Sequence, residues 1–141
     1  MPATLYRSAQ IASENAAPKS GDVLVEGGKI AAVGDSLAAP EGAEVIDCAG
    51  LILLPGLFDP HVHFREPGQE HKENIKTGSE AAINGGVTGV VAMPNTAPSI
   101  DTGGMVKTVL ESAERSCRID FYTSGCITKG ARARNSPASP G

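Results

Sequence analysis

Short apolar runs separated by turn residues fill the first third of the chain. Residues 22–26 and 29–33 are β-type runs on either side of Gly27-Gly28. A Gly-Gly pair in this position predicts a two-residue hairpin, because glycine adopts positive φ without a steric penalty. Residues 13–20 are polar and include a proline, so we expect a loop there. The pattern predicts that residues 1–55 form part of a small β-sandwich.

Two segments after residue 55 have the spacing of helices. Residues 71–84 carry Ile75 and Ile83 at helical positions and are followed by a glycine pair, which commonly ends a helix. Asp101 or Thr102 can cap a second helix that runs to about residue 116. Both helices therefore have a predicted start, a predicted end and an apolar side.

Strands predicted at residues 57–63, 87–93 and 118–122 alternate with these helices. This order is typical of an α/β fold with a parallel sheet. No Gly-x-Gly-x-x-Gly follows the first strand, so a dinucleotide crossover has no support. Polar residues lie where the strands end, as in (β/α)8 barrels. Because a complete barrel needs roughly 200 residues or more, we expect residues 56–128 to form an incomplete TIM barrel, with two βα units and a third strand.

The last residues, 129–141, contain no valine, leucine, isoleucine, methionine or aromatic residue. Such a segment cannot build a core strand or an apolar helix face, so we expect it to be disordered. One interpretation is a flexible tail on a complete small protein. The interpretation that we favour is a truncated gene product with a frame change near Gly130, which the nucleotide sequence would test.

Composition limits the classes of function. Hydrophobic residues make up 40% of the chain, charged residues 20%, and the net charge is −4, which together are typical of a globular protein. There is no basic stripe and little aromatic content, so nucleic acid is not an expected partner. The chain contains no run of about 18 apolar residues, so we expect no membrane span. Cys48, Cys117 and Cys126 form no Cys-x-x-Cys pair, and we expect reduced thiols in a cytoplasmic protein.

Two histidines one residue apart, His61 and His63, end the first strand after residue 55. Side chains alternate along a strand, so both imidazoles should point to the same side and could hold a divalent metal. Asp59 shares that side but lies deeper, where a structural role is the simpler expectation. The alternative for the histidines is a pair satisfied by backbone carbonyls. Two ligands do not complete a zinc site.

The chain resembles the dihydroorotases of the bacterial single-function type, in the amidohydrolase superfamily. Segment 54–71 is similar to the first barrel strand and its loop in that family, and segment 76–89 to the helix and turn that follow. The resemblance covers roughly residues 4–130. Its most specific parts are His63-Phe-Arg-Glu-Pro-Gly68 and Met93-Pro-Asn-Thr96.

The resemblance implies the reversible cyclisation of N-carbamoyl-L-aspartate to L-dihydroorotate, in pyrimidine biosynthesis. It also implies one or two zinc ions, with His61 and His63 as metal ligands. The family's other ligands come from later strands, namely a bridging carboxylate or carboxylated lysine, two more histidines and an aspartate. Its catalytic base, an aspartate of the eighth strand, has no counterpart in this chain, so we assign no catalytic residue here.

Arg65 and Asn95 are the expected substrate-binding residues, because the resemblance places both on the substrate carboxylate. The guanidinium of Arg65 can grip a carboxylate with two hydrogen bonds, and the Asn95 amide can donate as well as accept. The alternatives are a solvated loop arginine and a turn-forming asparagine after Pro94. Glu66 is expected to be a loop carboxylate and His71 a surface residue.

Two other functions stay open. One is a cyclic amidase of the hydantoinase or allantoinase type, against which Arg65 and Asn95 argue. The other is a non-catalytic scaffold for aspartate transcarbamoylase. A full-length protein is expected to form a homo-oligomer. We expect the 141-residue chain alone to be inactive and either poorly folded or folded only in an oligomer, because its third strand leaves an open sheet edge.

Overall fold

The computed structural model of the protein describes residues 2–14 and 16–132. The chain divides into two compact units, Met1–Pro55 and Gly56–Gly141. The strands of the first unit are β1 (Thr4–Ser13), β2 (Ala16–Glu26), β3 (Lys29–Gly34), β4 (Glu44–Asp47) and β5 (Ile52–Leu53). The second unit contains β6 (Leu57–Val62), α1 (Ile75–Asn84), β7 (Val87–Ala92), α2 (Gly103–Ser116) and β8 (Asp120–Thr123).

A single five-stranded sheet forms the first unit. Its order is β3-β2-β1-β4, and β5 pairs with β1 further along that strand. The predicted hairpin is confirmed, since Glu26 pairs with Lys29 and both intervening glycines have positive φ. Its buried apolar side chains are Leu5, Ala9, Val23 and Cys48. The sandwich expected from the sequence stays a prediction.

The loop predicted at residues 13–20 is wrong. β1 continues to Ser13, and β2 begins at Ala16 and pairs with β1 through Lys19 and Ser20. The first half of β2 pairs with β1 alone, because its pairing with β3 begins only at Asp22. A strand with one free edge tolerates polar residues and a proline that donates no hydrogen bond, and residues 16–20 are all exposed.

The second unit is a parallel sheet in the order β6-β7-β8, with α1 and α2 as the crossovers. The predicted strand-helix-strand-helix-strand order is therefore confirmed. Its core consists of the buried residues Phe64, Ile75, Val90, Ile100, Val109 and Ala113. Three parallel strands and two crossover helices are compatible with the start of a (β/α)8 barrel, while the barrel itself stays a prediction.

Helix α1 begins four residues later than the sequence predicts. The side chain of Asn74 accepts from the backbone N–H of Thr77, and the Thr77 hydroxyl accepts from the N–H of Asn74, which forms a reciprocal cap. This cap satisfies two donors that would otherwise be free at the helix start. Ile83 is 46% exposed, so it does not belong to the packed face, which is formed by Ile75 and Ser79.

Helix α2 begins after Thr102, whose hydroxyl accepts from the backbone N–H of Met105, as predicted. Residues 129–131 were expected to be disordered, but Lys129–Ala131 form a short 3-10 turn. The N–H of Gly130 donates to Asp101 Oδ2 at 2.7 Å, which ties this turn to the start of α2. The rest of the predicted tail, residues 133–141, lies outside the described residues. No helix in the described ranges is long and apolar enough to cross a membrane.

Candidate metal-binding site

The carboxyl ends of β6 and β7 bring two polar segments to one edge of the parallel sheet. The N–H of Met93 donates to Val62 O at 2.9 Å, so the two strands end side by side. His63 follows β6 directly, and Asn95 follows β7 after two further residues. Parallel pairing therefore places on one edge two residues that lie 32 positions apart in the sequence.

His61 and His63 turn to the same side of β6, as strand alternation predicts. Their Nε2 atoms are 3.3 Å apart, and their ring centroids are 5.1 Å apart with planes inclined at 58°. Both residues are exposed. The Nε2 atoms of both residues are therefore close to each other and accessible to a ligand from the solvent.

The spacing of these two nitrogens fits a shared metal ion. Two imidazole nitrogens bound tetrahedrally, each at about 2.0–2.1 Å from zinc, lie about 3.3–3.4 Å from each other. The separation of 3.3 Å between His61 and His63 has this value. Within residues 2–14 and 16–132, no group of three or more His, Cys, Asp or Glu residues could hold a metal. This part of the chain thus offers two ligands.

Asn95 contacts His63, one member of the histidine pair. Its Oδ1 lies 2.9 Å from His63 Nδ1. Asp59, one step deeper in β6, accepts a hydrogen bond from the backbone N–H of His61 at 3.0 Å. Asp59 thus stabilises the backbone that carries His61, in keeping with the structural role expected for it. Asn95 reaches the site from the other strand.

Arg65 lies in the loop after β6, where packing and a backbone hydrogen bond fix the position of the main chain. Phe64 is buried and its ring stacks with Phe121, with centroids 6.1 Å apart and planes at 26°. The backbone carbonyl of Arg65 accepts from the N–H of Gln69 at 3.0 Å. The side chain of Arg65 is half-buried and makes no hydrogen bond or ion pair with any other described residue. Its guanidinium donors are therefore available to a ligand.

The loops after β6 and β7 pack against each other. The N–H of Ala97 donates to Pro67 O at 3.1 Å. Gly68 has φ +96°, and a Cβ there would overlap the backbone carbonyl oxygen of Ala97. Only glycine permits this approach and this backbone conformation. The segments that carry Arg65 and Asn95 are thus in direct contact.

Glu66 is the residue that sequence reasoning missed. Expected as a simple loop carboxylate, it accepts from the N–H of Ile75 at 3.0 Å and from the hydroxyl of Ser112 at 2.5 Å. The first contact satisfies a free donor at the start of α1, where a negative charge is favourable. The second reaches a residue 46 positions away, and no local sequence pattern predicts such a contact.

Glu70 stabilises the turn in the same loop. Its carboxylate accepts from the backbone N–H of Gly68 at 2.7 Å. This hydrogen bond, together with that from its own N–H and the nearby His71, lowers the pKa of Glu70 below its ordinary value. The ionised form of Glu70 is therefore the better acceptor in this turn.

Comparisons with known proteins identify the family to which this chain is similar. The family model described as the Amidohydrolase family matches residues 52–139. A dihydroorotase from Citrifermentans bemidjiense is 46% identical over 114 residues, which are 81% of this chain and 27% of that protein. A dihydroorotase from Streptococcus pneumoniae is 49% identical over 123 residues, which are 84% of this chain and 29% of that protein. The chain thus spans less than a third of the curated relatives that it matches.

The solved structure of an L-hydantoinase (dihydropyrimidinase) from Arthrobacter aurescens has a similar fold. It superposes with a TM-score of 0.80 at 27% sequence identity, and the match covers 89% of this chain and 28% of that one. Both kinds of comparison therefore cover most of this chain and a minor part of the similar protein.

Proposed function

The chain belongs to the amidohydrolase family, and on this basis we propose that it provides part of the active site of a zinc-dependent dihydroorotase. The proposed reaction interconverts N-carbamoyl-L-aspartate and L-dihydroorotate. The observation that carries the proposal is the convergence of His61 and His63, with Nε2 atoms 3.3 Å apart, beside Asn95 from the next strand. The names of relatives at 46% and 49% identity support the same reaction.

His61 and His63 would hold the metal, one imidazole nitrogen from each. When bound, zinc would make water a better nucleophile near neutral pH and polarise the reacting carbonyl. We assign no residue of this chain as a further metal ligand or as the catalytic base. The role proposed for this chain is therefore to hold the metal on one side and to bind the substrate beside it.

Arg65 and Asn95 would bind the substrate carboxylate. The guanidinium of Arg65 has no partner among the described residues, and its planar donors match the two oxygens of a carboxylate. Asn95 uses its oxygen on His63, so its amide nitrogen remains able to donate. Held at both points, the substrate would present its amide carbonyl at a fixed distance from the histidines.

A hydantoinase-like amidase is the second candidate, because the similar solved structures include an L-hydantoinase. Hydantoin is a cyclic amide without a carboxylate, so it would leave Arg65 unpaired. The dihydroorotase proposal therefore gives Arg65 a function that the second candidate does not. The scaffold for aspartate transcarbamoylase stays a prediction, which co-purification with that enzyme would test.

Ligand binding to the zinc-supplemented 141-residue chain distinguishes the two candidates. We expect L-dihydroorotate to bind, and Arg65→Ala to weaken it by about tenfold or more, since a charge-assisted contact contributes roughly 1.5–3 kcal/mol. Arg118→Ala is the matched control, because Arg118 precedes β8 at the opposite end of the strands and, among the described residues, its guanidinium pairs with Glu80 alone. If hydantoin and dihydroorotate bind with equal affinity, and Arg65→Ala changes neither affinity, the hydantoinase-like candidate is favoured.

A further inference from the structure

We propose that Asn95 is a positioning residue for the metal ligand His63 as well as a contact for the substrate carboxylate. In this role its side-chain oxygen selects the tautomer of His63 that leaves Nε2 free for a metal. The inference builds on the proposed function, but it concerns the state of the histidines before any substrate is present. It follows from the two hydrogen-bond distances at the site and from the donor and acceptor capacity of each group.

The contact between Asn95 and His63 determines where the imidazole proton lies. Asn95 Oδ1 is 2.9 Å from His63 Nδ1 and can only accept a hydrogen bond. His63 Nδ1 must therefore carry the proton. A neutral imidazole has one N–H, so His63 Nε2 bears a lone pair and faces His61. A hydrogen bond from the second nitrogen to a fixed oxygen is the usual way in which metal-binding histidines are oriented.

His61 must then be the donor in the metal-free pair. Its Nε2 lies 3.3 Å from the lone pair of His63 Nε2, so the proton between the two rings belongs to His61. A metal ion shared by both Nε2 atoms requires this proton to leave. His61 loses the proton from Nε2 and gains one at Nδ1, through water at the exposed ring. The ring stays neutral and the number of protons is unchanged. His63 keeps its tautomer throughout, while His61 changes.

Hydrogen bonds of the neighbouring residues fix the backbone on both sides of Asn95. The carbonyl of Pro94 accepts from the N–H of the buried Ile100 at 3.0 Å. Thr96 is buried and its hydroxyl donates to Pro98 O at 2.7 Å. Asn95 itself is exposed, and its amide nitrogen makes no hydrogen bond with any other described residue. The side chain can thus keep its oxygen on His63 while its nitrogen donates to a carboxylate.

Nitrogen-15 NMR of the histidine rings in the metal-free full chain tests the inference first. At a pH where both rings are neutral, we expect His63 to be protonated at Nδ1 and His61 at Nε2. Addition of Zn²⁺ should move the His61 proton to Nδ1 and leave His63 unchanged. His63 protonated at Nε2 in the metal-free chain would overturn the proposal.

Two substitutions at position 95 separate orientation of the metal ligand from contact with substrate. Asn95→Ala removes the acceptor, so the Nδ1–H form of His63 should lose its preference and zinc affinity should fall about tenfold or more. Asn95→Asp keeps an acceptor, so it should retain the tautomer and the zinc affinity. Its negative charge should nevertheless abolish binding of L-dihydroorotate. Asn84→Ala is the control, since Asn84 bonds Glu80 O at the end of α1.

The outcomes distinguish this inference from the proposed function. Equal zinc affinity and equal tautomers in the wild type and in Asn95→Ala would overturn the positioning role. Parallel loss of zinc affinity in Asn95→Ala and Asn95→Asp would also overturn it, because a merely structural defect would affect both. If the tautomers behave as expected but the wild-type chain does not bind dihydroorotate, the positioning role holds and the proposed substrate is wrong.

Discussion

The carboxylate of Glu66 accepts a hydrogen bond from the hydroxyl of Ser112, which lies 46 residues further along the chain. The same carboxylate accepts from the N–H of Ile75 at the start of α1. One side chain in the loop after β6 therefore joins both crossover helices. Since Arg65 is the adjacent residue, the position of a proposed substrate contact depends on this junction.

Substitution of Glu66 should lower stability more than substitution of an exposed glutamate. Glu66→Ala leaves a helix N–H and a hydroxyl without their acceptor, so we expect the free energy of unfolding to fall by about 1–2 kcal/mol. Urea denaturation measures this. Glu111→Ala removes only an exposed ion pair with Lys107 and should change stability by less than about 0.5 kcal/mol. Equal losses in the two variants would contradict the proposed junction.

Zinc binding should depend on two of the three histidines. His61→Ala and His63→Ala each leave a single imidazole, and we expect each to weaken zinc binding by more than about tenfold. His71→Ala is a matched control from the same loop region, where His71 is exposed and lies outside the pair. Isothermal titration with Zn²⁺ provides the measurement. Weaker binding in His71→Ala than in His61→Ala would refute the assignment.

The loop after β6 should become less stable at low pH because of Glu70. The pKa of Glu70 is lowered in the folded chain. Its stabilising contribution is therefore present above the unfolded pKa and is lost as the pH falls through the folded one. The protection factor of the Gly68 N–H, which compares its measured exchange rate with the intrinsic rate at the same pH, should fall over that acidic range in the wild type. Glu70→Gln should show faster exchange already at neutral pH, together with a weaker pH dependence.

Gly68→Ala should disrupt the contact between the two loops. A methyl group at residue 68 would overlap the backbone carbonyl of Ala97, and φ +96° is unfavourable for alanine. We expect a loss of more than about 2 kcal/mol in the free energy of unfolding, or a rearranged loop. Gly103→Ala is the control, because nothing lies within 4 Å of a Cβ at that helical position. Thermal unfolding and the amide chemical shifts of residues 95–97 distinguish the two variants.

Local patterns in the sequence were sufficient to predict the second unit and the histidine pair. The change from strand to helix spacing after residue 55 predicts β6 to β8 and both helices, and alternation along β6 predicts that His61 and His63 share a side. Of the two caps predicted for α2, Asp101 and Thr102, the structure shows Thr102; a cap was predictable because N-capping is a contact over three residues. Features set by neighbours in sequence were therefore predictable.

Features that depend on residues distant in the sequence could not be predicted from local patterns. Residues 16–20 form a strand because β1 pairs with them, although their composition resembles a loop. Ile83 is exposed because the side of α1 that packs is formed by Ile75 and Ser79, and Ser79 bonds the N–H of Arg118, 39 residues away. Similarly, the contact of Glu66 with Ser112 and that of Asn95 with His63 exist only after the sheet has formed.

Residue 65 lies between two anchors, the buried ring of Phe64 and the carboxylate of Glu66. Neither anchor uses the side chain of residue 65, whose backbone is set by its neighbours. Under the proposed function, an exchange at this single position would therefore change which ligand the site prefers while the surrounding scaffold folds as before.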